Sequence, residues 1–282
     1  MKNLIRLLNF VWRHPLNKKS RLAAIGRVIR WQIASRLMVG PIALPYLNGK
    51  YLFAKNGMTS AASNWYCGLD EYEDMSFVLD TLHSGELFID VGANIGSYSI
   101  LAATKGARVI AIEPVPSTFK ALKQNVLLNE LDDQIEVMNI GLGSKEENLK
   151  FSTDQGTTNH ILNKKEESTK QIVEILVRSL DDVLDGRIPK IIKIDVEGFE
   201  TKVIEGARKT LANPNLFAII MELNGSGAHY GFDEDILHKK MLSLNFNSYI
   251  YEPSKRKLIS LNNKKNHKKN TLYIRRNYEF TL

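Results

Sequence analysis

An α/β fold with a twisted, mostly parallel sheet is predicted by three features of this sequence. From residue 85 onward, short runs rich in β-branched residues alternate with helical stretches, the pattern of repeated β-α units. The first run passes through a glycine-rich turn into a helix, "FIDVGANIGSYSI" at residues 88–100. Carboxylates recur where later runs end. The 282 residues accommodate one large α/β domain or two small ones, and 44% apolar content is enough for a full core.

The elements follow in order. Leu4, Leu7, Leu8 and Val11 recur at helical spacing, with Arg6, Asn9 and Arg13 between them, and Leu22, Ile25, Ile29 and Ile33 repeat the pattern until Gly40-Pro41. Residues 1–69 therefore read as a basic, mainly helical extension, and 70–282 as the main domain. Within it, "ELFIDVG" is a strand and "IGSYSILAATKG" a helix closed by Gly106. "ARVIAIEP" is the next strand, and "VPSTFKALKQNVLLNE" a helix with proline near its start. "QIEVMNIGLG" is a third strand, and residues 144–178 form an insertion of strands and loops. "IPKIIKIDVEG" is a fourth parallel strand, followed by the helix "FETKVIEGARKTLAN". "NLFAIIMELN" is a fifth strand and "DEDILHKKMLSL" a helix, with "FNSYIYEP" and "TLYIRR" closing the sheet.

The net charge of +7 is unevenly placed. Residues 1–69 hold 11 Lys or Arg and no acid, whereas the remainder carries 27 basic against 31 acidic residues. Positive ends around an acidic middle point to an anionic surface or substrate. The basic helices of residues 1–36 fit two roles, lying on the inner face of an anionic membrane or packing on the main domain. One cysteine, Cys67, rules out a disulfide framework and suits the reducing cytoplasm. No uncharged apolar run reaches the ~18 residues of a span. Arg6 breaks the only stretch that resembles a signal peptide, and no small-residue cleavage site follows.

Ligands on such sheets bind beyond the carboxyl ends of the strands, where Asp90, Glu113, the Asn139–Gly143 turn, Asp195 with Glu197, and Glu222 all fall. A strand-end acid also serves as a helix cap or a solvated loop residue, and Glu222 fits that role as well as a site. The turn Gly92-Ala93-Asn94-Ile95-Gly96 lacks the middle glycine of the dinucleotide fingerprint, and no Lys-Ser or Lys-Thr follows it as in a P-loop. Asp90 would repel phosphate and favour a cationic ligand without one. S-adenosyl-L-methionine has an amino group, a sulfonium and a ribose. Glu113 ends the next strand and is placed to accept from both ribose hydroxyls.

These residues resemble the FkbM-type methyltransferases. The resemblance rests on "FIDVGANIGSYS", "AIEPVPSTFKALKQNVLLN" and "IKIDVEGFETKVIEGA", extends over about residues 85–223, and includes the early "RHPLN" at Arg13–Asn17. It implies a class I methyltransferase (Rossmann-like) fold with helices on both faces of the sheet. It also implies S-adenosylmethionine-dependent methylation of a hydroxyl, often on a sugar, glycan or glycosylated natural product. The expected donor-binding residues are Asp90, Gly92, Ala93, Asn94, Gly96, Glu113, Pro114, Gly141 and Leu142.

Methyl transfer requires donor and acceptor in near-attack geometry, and a hydroxyl must also lose its proton. Asp195 at the end of the fourth strand is the expected positioning residue or base, with Glu197 second. Asp-x-Glu-Gly also reads as a helix-initiating turn, so Glu197 and Glu200 have a capping alternative. Two or three carboxylates suit Mg²⁺, but this spacing assigns no metal. His160 and His229 lie in loops that either cover a substrate or face water. Trp65 and Tyr66 read as core. Against a nucleic-acid methyltransferase, the fourth strand lacks the Asn/Asp-Pro-Pro-aromatic run of amino methylation, and the acidic mouth repels phosphate. A non-catalytic, membrane-docked binding protein is the other alternative. Oligomeric state has no signal in the sequence.

Overall fold

The computed structural model describes residues 2–152, 161, 172–267 and 269–276. Helices α1 (Lys2–Arg13) and α2 (Arg21–Leu37) lead into a hairpin, β1 (Ile42–Pro45) and β2 (Tyr51–Ala54), then α3 (Thr59–Cys67) and α4 (Tyr72–Thr81). The parallel units follow as β3 (Leu87–Val91), α5 (Ser97–Ala103), β4 (Arg108–Ile112), α6 (Pro116–Leu128) and β5 (Ile135–Met138). Next come β6 (Gly141–Gly143), β7 (Glu147–Ser152), β8 (Ile172–Ser179) and α7 (Leu180–Leu184). The chain returns through β9 (Ile191–Ile194), α8 (Glu200–Glu205), α9 (Arg208–Ala212) and β10 (Ala218–Met221). It finishes with α10 (Glu234–Ser243), β11 (Phe246–Glu252), β12 (Lys257–Ser260) and β13 (Thr271–Arg275).

The main sheet has eight strands in the order β12-β11-β13-β10-β9-β3-β4-β5. From β10 to β5 every pair is parallel, while β13 runs antiparallel to both β10 and β11. The chain winds outward from β3 through β4 to β5, then returns to the other side of β3 with β9. That reversal opens a crevice at the carboxyl ends of β3 and β9, where ligands of doubly wound sheets bind.

Strand alternation splits the core into two layers. Phe88, Val109 and Ala111 face one cluster with α4 and α5, and Ile89, Ile110 and Ile112 face the other with α7 to α10. Both faces are covered, so the strands read as continuous apolar runs.

Several boundaries differ from expectation. The run "QIEVMNIGLG" divides into β5 in the main sheet and β6 in a three-stranded sheet ordered β6-β8-β7. The helix expected over 199–213 breaks into α8 and α9 at Gly206, where a Cβ would sit 2.0 Å from the Gly143 carbonyl oxygen. The leading segment also contains the β1–β2 hairpin. Its signal is Asn48-Gly49, both at positive φ, closed by Lys50 N–H donating to Leu47 O at 2.9 Å. Asn125 and Asn129, one turn apart on α6, hold this hairpin by accepting from Phe53 N at 2.6 Å and Tyr51 N at 2.7 Å.

Residues before 70 pack into the same cluster as the main sheet. Val11, Ala24, Val28, Trp31, Leu44 and Leu52 are buried there with Phe77 and Phe88. Of the stripe on α1, Leu7, Leu8 and Val11 pack on this core and only Leu4 is exposed. Tyr66 is buried and Trp65 packs beside it.

Buried Asn17, in the turn after α1, joins the helices. Its Nδ2 donates to Val11 O at 2.9 Å and Tyr66 O at 3.2 Å, and its Oδ1 accepts from Arg27 Nη2 at 3.0 Å. Replacing it takes the side-chain donor from Val11 O and an acceptor from Arg27, so Asn17→Ala is expected to cost about 1–3 kcal/mol. A lower urea midpoint at unchanged slope is the expected reading. A wild-type midpoint would show the clasp to be dispensable.

Candidate active site

The site is assembled at the crossing of two strand ends. Gly92 follows β3 at φ 77°, and a Cβ there would lie 1.9 Å from the Asp195 carbonyl oxygen after β9. Only glycine lets the two backbones approach so closely. Gly92 N–H and Ala93 N–H both donate to Ile112 O, at 3.0 and 2.9 Å, which anchors the turn to β4. Asn94 takes positive φ, and its N–H donates to Glu113 Oε2 at 3.0 Å. Glu113 Oε1 accepts from Val115 N at 2.9 Å. Asn139 Nδ2 donates to the carbonyls of Glu113 and Pro114 at 2.9 and 2.8 Å, steadying the end of β4.

A cavity of about 270 Å³ lies over this crossing. Asp90, Gly92, Ala93 and Asn94 line one side, Glu113 and Pro114 the next, and Gly141 with Leu142 in β6 the third. Asp195, Glu197 and Glu222 lie around the same space. Gly96 stands apart. It caps α5 at φ 89°, where a Cβ would meet Leu122 Cδ1 at 2.5 Å, so its smallness serves helix packing. His229 is exposed and stacks edge-on to Tyr230, 4.9 Å between centroids, and His160 lies outside the described residues.

Glu200 takes the capping role. Its Oε1 accepts from Val196 N at 3.0 Å and Gly198 N at 3.2 Å, closing the turn in which Glu197 stands at φ 54°. Glu197 is half-buried on the cavity wall.

Electrostatics distinguish the acids. Burial raises the Asp90 carboxyl, opposed by the Lys193 charge and by Ser99 Oγ, which donates to Asp90 Oδ2 at 2.6 Å. Burial likewise pushes Glu113 up to about 7. Lys193 is itself buried; although burial alone would lower it, the charges of Asp195, Glu71 and Asp90 hold it above the usual lysine value. Its Nζ lies 2.9 Å from Asp195 Oδ2 and 4.9 Å above the Tyr98 ring. Asp195 is held low: burial acts upward, but the Lys193 charge and hydrogen bonds from Lys193 and Glu222 outweigh it. Glu222 moves the opposite way, to about 8, from burial and from the charge and hydrogen bond of Asp195. Of the two carboxyls, Glu222 is therefore the one that holds a proton more readily.

Sequence reasoning missed half of the wall. Lys193 was hidden in the apolar run "IIKI". Thr59, Ser60 and Asn64 of α3, and Asp70 and Glu71 before α4, also line the cavity. Tyr98 donates its hydroxyl to Glu71, and Asn270 Nδ2 donates to Glu71 at 3.2 Å and to Asp74 at 3.1 Å. Burial lifts Asp70 to about 7 and Asp74 to about 8. Their signal was "LDEYED", the first acids after 69 residues without one.

A second cavity of about 560 Å³ meets the first at Asp70, Glu71 and Glu222. Arg6, Asn9 and Arg13 of α1 line its far wall, with Lys269 and Asn270 opposite. Among the described residues no three His, Cys, Asp or Glu converge to hold a metal ion.

The residues fit S-adenosylmethionine. Both Glu113 oxygens retain a lone pair beyond the backbone bonds, enough for two hydroxyl donors. Buried acids held above their usual range by desolvation regain the charged form when a ligand brings positive charge and donors. Strand order, glycine crossing and the cavity over the strand ends together are those of the class I methyltransferase fold. The sequence matches the methyltransferase FkbM domain over residues 90–251, and the chain belongs to that family. It is 29% identical to the hexuronic acid methyltransferase AglP of Haloferax volcanii over 157 residues, 55% of this chain and 62% of that protein. It is 27% identical to methyltransferase sdnD of Sordaria araneosa over 128 residues, 45% of this chain and 49% of that protein. The chain thus spans half to three-fifths of these relatives. Among solved structures, the C-terminal domain of precorrin-6Y C5,15-methyltransferase from Rhodobacter capsulatus aligns with TM-score 0.41 at 14% identity, over 73% of this chain and 88% of that one.

If Asp90 and Glu113 hold the donor, Asp90→Asn and Glu113→Gln should each weaken it by about 1.5–3 kcal/mol, the worth of a hydrogen bond to a charged group. Calorimetric titration with S-adenosylhomocysteine reads this directly. Wild-type affinity in both variants would remove these acids from the donor site.

Proposed function

We propose that the chain methylates a hydroxyl on a sugar or glycan acceptor. The observation that carries this reading is the second cavity reaching Glu222, whose carboxyl pairs with Asp195 in the first. An acceptor entering past α1 would meet proton-accepting groups at the wall of the donor cavity. When bound, S-adenosylmethionine supplies a methyl group activated by positive sulfur. Asp195, kept ionised by Lys193, accepts a hydrogen bond from the acceptor hydroxyl and orients its oxygen. The carboxyl pair would then take up the hydroxyl proton as the methyl passes from sulfur to oxygen, the electrons of the broken sulfur–carbon bond leaving with S-adenosylhomocysteine. Lys193 fixes Asp195 from behind and does not reach the acceptor in this scheme. Arg6, Arg13, Asn9 and Asn270, with the carboxylates Asp70, Glu71, Glu73 and Asp74, line the second cavity with hydrogen-bonding groups of both kinds, which suits a polyhydroxyl ligand. The relative that acts on a hexuronic acid supports the same class.

The test is transfer of isotopically labelled methyl into glycans prepared from cells lacking this gene. Recovery of labelled O-methyl sugar after acid hydrolysis is the expected result. Label recovered in nucleic acid instead would overturn the reading.

The pair also sets a pH dependence. Glu222 has a raised value, so it is protonated below about 8 and becomes a stronger acceptor as pH rises through that value. The profile of kcat/KM should rise through an apparent pKa near 8, which belongs to the pair. Glu222→Gln should abolish that inflexion. Asp195→Asn should lower kcat by about 10²–10⁴-fold while donor affinity changes far less, the signature of proton handling in the transition state. Equal losses in both would make Asp195 a donor ligand.

A further inference from the structure

Helix α2 has two apolar faces, and only one is used. Ala24, Val28 and Trp31 point into the core. On the other side Leu22, Ile29, Ile33 and Leu37 are 81%, 54%, 55% and 75% exposed. Their spacings of seven, four and four residues set them on one stripe. Met38 and Val39 extend the exposed apolar surface past the helix end. Contiguous exposed surface of this kind marks an interaction site.

We propose that this face docks on an anionic phospholipid bilayer, with α2 lying in the plane of the headgroups. The charges around it argue for that occupant. Arg30 and Arg36 flank the stripe by helical position, and Lys18, Lys19 and Arg21 precede it, all exposed. No acid occurs before Asp70. A second copy of the chain would set this basic face against itself in an isologous contact, arginine near arginine, which like-charge repulsion opposes. An anionic leaflet supplies the complementary charge and an apolar interior for the stripe. Exposed Trp12 lies beside the helix start, with the Arg21 guanidinium 5.2 Å from its ring centroid, an amphipathic pair suited to headgroup depth. Among the described residues no helix is long and apolar enough to cross a membrane, so the contact is peripheral. The stripe differs from the one on α1 suggested by sequence periodicity, most of which is core.

Sedimentation with vesicles tests this, using phosphatidylcholine alone and phosphatidylcholine with about 30% phosphatidylglycerol. The full chain should sediment with the anionic vesicles only, and binding should fall at least about tenfold in high salt as the charges are screened. Ile29→Glu with Ile33→Glu should reduce binding by at least about tenfold, as should Arg30→Gln with Arg36→Gln, while S-adenosylhomocysteine affinity stays unchanged. If the glutamate pair lowers the melting temperature, the glutamine pair decides. No sedimentation, equal binding to neutral vesicles, or wild-type binding by the variants would overturn the proposal. So would light scattering that shows a dimer dissolved by the glutamate pair without vesicle binding, which would make the face a self-interface.

Discussion

The close passage of Gly92 over the Asp195 carbonyl is the constraint on which the site depends. Two parallel neighbours, β3 and β9, end side by side, and the chain after each must turn away without collision. Because residue 92 has no side chain, the turn after β3 lies directly on the turn after β9. Asp90, Lys193 and Asp195 are thereby gathered within one small volume. Any side chain at 92 would part the strand ends and move the turn after β3 away from Asp195.

That gathering creates an electrostatic problem which Lys193 solves. Asp70, Glu71, Asp90, Glu113, Asp195, Glu197 and Glu222 share one cavity. Desolvation pushes several of them toward the neutral form, and mutual repulsion adds to it. One buried ammonium keeps Asp195 ionised, while burial favours the neutral form of Asp70, Asp90, Glu113 and Glu222.

The segment before residue 70 is part of this machinery. Asn125 shows the coupling: its Oδ1 accepts from Phe53 of the hairpin, while its Nδ2 donates to Ile95 O in the glycine turn at 2.8 Å. Tyr46 donates its hydroxyl to Ser97 O at 3.2 Å at the start of α5. Helix α3 lines the donor cavity, and α1 lines the adjoining one. Buried polar bonds, more than apolar contact alone, set the orientation of this segment because each loses its partner if the segment shifts.

The sequence by itself determined the parallel order of β3, β4, β9 and β10, the turn at 92–96 and the acids that end the strands. Those signals are local: short continuous apolar runs, glycine, and a carboxylate at the end of a run. Tertiary structure alone decided the rest, since it depends on which distant segments meet. Lys193 looked like an interruption in an apolar strand until Asp195 and Tyr98 were seen around it. Glu222 read equally well as a loop acid, and it is burial together with its neighbour Asp195 that raises its proton affinity. Gly96 looked like part of the ligand turn, yet Leu122 from α6 explains its small size. The two stripes on α1 and α2 have the same periodicity in sequence; the packing of Leu7, Leu8 and Val11 inward and of Ile29 and Ile33 outward was settled by how the helices lie on the sheet. Periodicity reports that a face is apolar, and only the fold says what covers it.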